Sequence, residues 1–174
     1  MNRDQAPPES QALVLFDVDL PRTPEMQQLV EEMESALYSI TFGNTETHKS
    51  AKYQAFSAAI QNQNHVDLCL SYLKQSKQIS HSKTQMFAYR VAQPTEGGNH
   101  DQEQFIEEGY EDGTEEGCGQ KLLTLLQKMG VENILIVVYM WHHRLQGTTP
   151  STEVYKCVMD RAKELLTTLH QKVL

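Results

Sequence analysis

Cysteine is scarce in this sequence, and the three cysteines present (Cys69, Cys118 and Cys157) are far apart and form no CxxC pair. An odd number of isolated thiols argues against a disulfide framework and against a zinc site, and it is typical of a reducing compartment. We therefore expect a protein of the cytoplasm, with the nucleus as an alternative.

Long apolar runs are also missing, since no stretch approaches the roughly 20 residues that a membrane-spanning helix needs. The first ten residues, MNRDQAPPES, contain no apolar signal region, so we expect neither a secretory peptide nor a membrane anchor. The chain has 174 residues, of which 39% are hydrophobic and 22% are charged. This composition is typical of a globular domain that can bury a hydrophobic core without disulfides or structural metal ions.

Basic residues are absent from one acidic stretch. Residues 101–116 contain eight Asp and Glu residues and no Lys or Arg, whereas the other 158 residues contain 15 acidic and 15 basic residues. The net charge of −8 therefore lies in this stretch, which would repel nucleic acid and would suit a basic protein surface or a cation. The simpler alternative is a solvated loop.

Strand and helix patterns alternate along the chain. We predict strands at 12–18, 51–60, 84–92 and 134–141, and helices that begin at Pro24 after a Thr23 cap, after an Asn64 cap, at Leu122 and at Ser151. A loop is expected from Gln93 to about Gly117. The chain is expected to divide into a flexible tail (1–10), a strand–helix extension (11–46) and one domain (47–174). The economical fold is α/β (α+β): a single two-layer sandwich of a mixed sheet and three to four helices.

The stretch EEGYEDGTEEGCGQKLL (107–123) invites four chemical interpretations. A phosphate loop is disfavoured because Gln120 and Lys121 do not supply the Lys-Ser/Thr pair and because glutamates adjoin it. A calcium loop is disfavoured because Tyr110 and Gly119 fall where ligands are required. Cys118 as a nucleophile would need His142 or His143 as a base. These two histidines could also bind a metal, but no third ligand is evident. We expect no catalytic site, no metal and no cofactor.

Ten residues are candidates for contact with a partner: six acids of the acidic stretch and four residues that end the last strand and begin the next loop. They are Glu107, Glu108, Glu111, Asp112, Glu115, Glu116, Trp141, His142, His143 and Arg144.

An ordered set of motifs resembles the IMPACT family, also called the YigZ family. KTQMFAYRV (83–91) resembles its AYR-bearing strand, YEDGTEEGCGQKLL resembles its DDGE-type loop and helix, and VENILIVVYMW resembles its apolar strand. Ser50 to Tyr53 stand where the family has a Lys-Ser-Lys/Arg-Phe motif, and the resemblance covers about residues 47 to 170.

The sequence also departs from the family pattern. The histidine that leads into the AYR strand is missing from Ser82-Lys83-Thr84-Gln85. Met140 stands where the family has the arginine of an Arg-Trp-Tyr-Gly-Gly-type loop, and His143-Arg144 stand where it has paired glycines. Eukaryotic relatives often have an N-terminal RWD domain, for which the first 45 residues are too few. The chain is thus expected to be a divergent, short, eukaryotic-type member.

The resemblance implies a fold similar to a ribosomal-protein domain and to the fourth domain of elongation factor G. It also implies a non-enzymatic regulator of translation in the response to amino-acid starvation. Family members bind the co-activator of the starvation kinase, and actin and ribosomes are further partners. The expected partner is therefore a protein: a translation factor, the kinase co-activator or actin. The alternative is an RNA- or ribosome-binding domain, for which six residues form a modest basic cluster: Lys49, Lys52, Lys74, Lys77, Lys83 and Arg90.

Overall fold

The computed structural model describes residues 23–94, 104–142 and 151–173. These residues form five helices: α1 (Pro24–Tyr38), α2 (Gln63–Lys74), α3 (Lys77–Ser80), α4 (Cys118–Met129) and α5 (Ser151–Val173). They also form six strands: β1 (Thr41–Phe42), β2 (Glu46–His48), β3 (Ala51–Ala59), β4 (Thr84–Ala92), β5 (Ile106–Glu111) and β6 (Ile134–His142). The strand expected at 12–18 and the tail at 1–10 lie outside the described residues.

Local signals in the sequence place most helix ends. Thr23 Oγ1 accepts a hydrogen bond from the Met26 backbone N–H (3.2 Å), and Pro24 occupies the first position of α1, as expected. The cap expected at Asn64 is wrong, because Asn62 Oδ1 accepts from the His65 N–H (3.2 Å) and so begins α2 two residues earlier.

The sheet has the order β1–β3–β6–β4–β5, and β2 also pairs with β3. Every pairing among the described residues is antiparallel, so the expected mixed sheet is corrected. The strands β3 and β4 do run in the same direction, but β6 lies between them and pairs with both.

Helices cover both faces of the sheet, so the expected two-layer sandwich gains a third layer. On one face, residues such as Leu122 of α4 and Val158 of α5 pack against Met86 and Val138. On the other face, α1, α2 and α3 contribute residues such as Val66 to a second core. The reason is the apolar run of β6, whose side chains point alternately to the two faces and are buried on both. The α/β class is confirmed, with five helices rather than three to four.

Part of the loop expected at 93–117 is a strand. Residues 106–111, IEEGYE, form β5 and pair with β4 from Phe87 to Ala92. Three glutamates and a glycine are poor strand formers, so this strand depends on its pairing with β4 rather than on local preference. None of the described helices is both long and apolar enough to span a bilayer.

Candidate functional site

Residues 112–119, called here the acidic turn, run closely against β4. A Cβ atom at Gly113 would overlap Thr84 Oγ1 and come within 2.5 Å of the Gln85 carbonyl oxygen, and Gly113 has φ +64°. A Cβ atom at Gly119 would likewise overlap the carbonyl oxygen of Glu111. Both positions therefore require glycine for close backbone packing. This packing explains why glycine is present, and no bound ligand is needed to explain it.

Asp112 caps the helix that follows the turn. Its Oδ1 accepts hydrogen bonds from the backbone N–H groups of Gly119 (2.9 Å) and Gln120 (3.2 Å) at the start of α4. A helix N-terminus attracts anions, and this one already holds a carboxylate from its own chain. The carboxylate of Asp112 would repel a phosphate at this position.

The glutamates of β5 are divided between the two faces of the sheet. Glu108 points toward α4, where it accepts from Arg90 Nε (2.9 Å) and from Gln127 Nε2 (3.0 Å). Glu107 and Glu111 lie on the opposite face, beside the strand residues that pack against α2. Glu107 is half-buried and accepts from Gln93 Nε2 (2.5 Å), whereas Glu111 is exposed.

Glu115 and His142 meet through a lysine that the sequence analysis did not connect to them. Lys83 Nζ lies 2.9 Å from His142 Nε2 and 3.8 Å from Glu115 Oε1. Burial and the neighbouring Lys83 lower the pKa of His142, and Glu115 opposes this shift. The register brings the three together, since the Lys83 backbone N–H donates to the Met140 carbonyl (2.8 Å).

The remaining candidates are scattered. Glu116 is exposed, and its backbone carbonyl accepts from the Tyr155 hydroxyl (2.5 Å). Trp141 is buried on the α2 face, where its Nε1 donates to the Gln78 carbonyl (2.7 Å) and Lys52 Nζ lies 4.5 Å from its ring. His143 and Arg144 lie outside the described residues. The structure thus joins Glu115 to His142 but does not gather the other described candidates into one cluster.

The environment of Cys118 does not favour nucleophilic chemistry. The side chain is buried, and burial followed by Glu115 and Asp112 raises the pKa of its thiol to about 12. A thiol in this state is protonated at neutral pH, and only a thiolate is a good nucleophile. Within the described ranges, no three His, Cys, Asp or Glu side chains are grouped so that they could hold a metal ion.

Two features of the region escaped the sequence analysis. One is the strand edge at β5, whose only sequence signal is a weak alternation in IEEGYE. The other is the pairing of Arg90 with Glu108, in which the Arg90 side chain is 12% exposed. Arg90 belongs to the basic cluster expected from the sequence, but its guanidinium also donates to the Val131 carbonyl (3.0 Å) and points into the α4 face.

Comparison with known proteins places the chain in a family. The family model described as the Impact N-terminal domain matches residues 49–159. The chain is 31% identical over 136 residues to protein IMPACT of Homo sapiens, covering 78% of this chain and 38% of the relative. It is 35% identical over 103 residues to the IMPACT homolog of Dictyostelium discoideum, covering 59% and 28% respectively. The chain therefore spans about a third of the length of these relatives.

A shorter relative is matched over more of its length. An IMPACT family member of Saccharomyces cerevisiae is 30% identical over 130 residues, which cover 59% of this chain and 74% of the relative. Among solved structures, that of the two-domain translational regulator Yih1 matches with a TM-score of 0.50 at 20% identity, covering 92% of this chain and 58% of that one. The fold is thus shared with that regulator, and the chain belongs to the IMPACT family.

Proposed function

We propose that this protein is a non-enzymatic regulator of translation that acts by protein contact in the response to amino-acid starvation. The observation that carries the proposal is the match of residues 49–159 to the Impact N-terminal domain. The fold shared with the translational regulator Yih1 supports it. The proposed partner is a translation factor or the co-activator of the starvation kinase, with actin as a further candidate, and the proposed compartment is the cytoplasm.

The state of the reactive side chains supports a non-enzymatic role. The Cys118 thiol is buried, with its pKa raised to about 12, and the His142 ring lies against Lys83. A nucleophile needs a base within hydrogen-bond reach, and among the described residues no hydrogen bond joins Cys118 to a histidine. The geometry therefore suits contact better than covalent chemistry.

The surface proposed for contact is the acidic region around β5 and the acidic turn. Its carboxylates differ in availability, because Asp112 caps α4 and Glu108 binds Arg90. Glu111 and Glu116 are exposed, and Glu107 is half-buried on the same face as Glu111. These three can be neutralised without removing a helix cap or an ion pair.

Affinity capture from starved and fed cell extracts tests the proposal. The intact chain is compared with the triple variant Glu107→Gln, Glu111→Gln, Glu116→Gln. The matched control, Glu25→Gln, Glu132→Gln, Asp160→Asn, removes three exposed carboxylates elsewhere. We expect the intact chain and the control to capture a translation factor or the kinase co-activator, and the triple variant to lose it. If the intact chain captures neither class of protein, the proposal is wrong.

A second candidate function, binding to RNA or to the ribosome, is favoured by one observation. The register places Lys49, Lys52 and Lys83 at the same end of the sheet, because Ala51 pairs with His142, Lys52 with Trp141 and Thr84 with Met140. Two of these lysines already face carboxylates, Lys49 at 2.7 Å from Glu153 and Lys83 at 3.8 Å from Glu115. A gel shift with total ribosomal RNA should weaken with salt and with Lys52→Gln if this function holds. If the RNA band does not shift even at low salt, the protein does not bind RNA and this second function is wrong.

A further inference from the structure

The strand β5 ends the sheet and has a free edge in the part of the chain that the structure describes, since it pairs only with β4. The Gln93 backbone N–H donates to the Phe105 carbonyl (2.8 Å), so Phe105 points its backbone groups toward β4. In an antiparallel pair these directions alternate along the strand. The backbone N–H and C=O groups of Ile106, Glu108 and Tyr110 therefore face outward.

A groove lies beside this edge on the face that α2 covers. Its volume is about 210 Å³, and it is lined by residues of α2, β4 and β5: Gln63, Val66, Asp67, Phe87, Tyr89, Gly109 and Tyr110. The Tyr89 ring extends over Gly109, where a Cβ atom would come within 2.5 Å of Tyr89 Cε1. The volume is below the roughly 300 Å³ at which small-molecule sites begin, and it suits a single long side chain.

The charge around the groove is negative. Asp67 lines it, and Glu107 and Glu111 flank Gly109 on the same face of β5. Burial, then Glu107 and Asp67, raise the pKa of Tyr89, in keeping with two carboxylates close to its hydroxyl. Among the residues that the structure describes, no lining residue is basic, and Arg90 of β4 points to the other face and binds Glu108.

We propose that the free edge of β5 binds an extended, basic segment of a protein partner as an added strand, with one Arg or Lys side chain in the groove. This proposal shares one premise with the proposed function, namely that the protein acts by binding another protein. The outward N–H and C=O groups supply the main-chain hydrogen bonds. The groove supplies an aromatic surface for the aliphatic part of the side chain and Asp67 for its charge. A second copy of this chain is disfavoured, because pairing two β5 edges would bring glutamates together.

The test uses a nine-residue peptide of alternating Thr and Arg, which places every Arg on one face of a strand, and the ¹⁵N-labelled full chain. We expect the amide resonances of Ile106, Glu108 and Tyr110 to shift and their hydrogen exchange to slow. A peptide of alternating Thr and Glu should not bind, nor should the Arg peptide with N-methylated alternate amides. If shifts centre on residues other than those of β5, or if methylation leaves binding unchanged, the proposal is overturned.

Variants separate the backbone contribution from the side chains. Tyr110→Pro removes one outward N–H and should weaken peptide binding about tenfold, whereas Tyr110→Ala keeps that donor and should weaken it less than about threefold. Proline is tolerated at strand edges, and the ¹H–¹⁵N spectrum reports whether the variant keeps the fold. Asp67→Asn should weaken binding and Asp160→Asn should not. Equal binding by the proline and alanine variants would contradict strand addition.

The outcomes also separate this inference from the proposed function. If extract capture recovers no translation protein but the Arg peptide binds at β5, the strand-addition site stands and the regulator proposal fails. If capture depends on the acidic residues but no peptide shifts β5, the regulator proposal stands and strand addition fails.

Discussion

The two halves of the acidic region, β5 at 106–111 and the acidic turn at 112–119, contain similar residues and have different roles. Each holds three carboxylates together with glycine. In the turn, Asp112 caps α4, Gly113 and Gly119 pack against backbone, and Glu115 approaches Lys83. In β5, Glu111 is exposed, and one edge of the strand is free among the described residues. Glu108 of β5 binds Arg90 and Glu116 of the turn is exposed, so each half holds both kinds of carboxylate. The comparison teaches that the partner of each side chain, not charge density, decides which carboxylates have a structural role.

The largest expected effect on stability is at Gly113 in the acidic turn, and Gly130 at the end of α4 is its matched control. Gly113 and Gly130 have nearly the same φ, +64° and +65°, but a Cβ atom would clash at Gly113 and would meet nothing within 4 Å at Gly130. Gly130→Ala should cost about 1 kcal/mol of unfolding free energy, the penalty of a left-handed conformation. Gly113→Ala should cost more than about 3 kcal/mol, because backbone must move as well. Urea denaturation measures the loss of unfolding free energy in both variants. Equal losses would show that the backbone of β4 moves away from residue 113 at little cost.

A smaller effect is expected for carboxylates on either side of the boundary. Asp112→Ala removes a helix cap and should lower the free energy of unfolding by about 1.5 kcal/mol. Glu111→Ala, one residue earlier and exposed, should change it by less than about 0.5 kcal/mol. Each variant removes one carboxylate from the original chain, so thermal or urea unfolding compares their stabilities directly. If Glu111→Ala were as costly as Asp112→Ala, the boundary between the two halves would be misplaced.

The smallest effect concerns two glutamates within the turn. Glu115 opposes the lowering of the His142 pKa, so Glu115→Gln should lower that pKa further. Glu116→Gln should leave it unchanged, because the turn directs Glu116 to solvent. An NMR titration of the His142 ring gives both values. A shift in the Glu116 variant and none in the Glu115 variant would contradict the geometry of the turn.

The same histidine has a consequence for stability. Its pKa in the folded chain lies below the ordinary value of 6.5, so the unfolded chain binds the proton more tightly. The contribution of neutral His142 to the stability of the fold is fully present above pH of about 6.5, and it is lost as the pH falls toward the folded pKa. Because Glu115→Gln lowers the folded pKa further, this variant should lose more stability than Glu116→Gln between pH of about 7 and about 5.5.

Local patterns in the sequence predicted much of the fold. The strand expected at 84–92 matches β4, and the strand expected at 134–141 ends one residue short of β6. Helix α4 begins at Cys118 rather than Leu122, because the cap comes from Asp112 and not from the residue next to the helix. The alternation of apolar residues and the cap at Thr23 act over a few neighbours, and such signals can be read from one sequence.

The site was less predictable because its geometry depends on distant partners. β5 forms through pairing with β4, the need for glycine at position 113 comes from Thr84 and Gln85, and His142 meets Glu115 only through Lys83. None of these contacts leaves a periodic pattern. The sequence shows that residues 101–116 are acidic, but it does not show which of these carboxylates form hydrogen bonds or ion pairs within the fold.

The position of β6 has a consequence for the order in which the protein is made. β6 is the last of the six described strands along the chain, yet it lies between β3 and β4, which do not pair with each other. Synthesis proceeds from the N-terminus, so a nascent chain that ends before Ile134 carries two strand groups with open edges. Open edges are templates for association between chains. Until β6 has left the ribosome, the edges of β3 and β4 that it will occupy are therefore open to association with other chains.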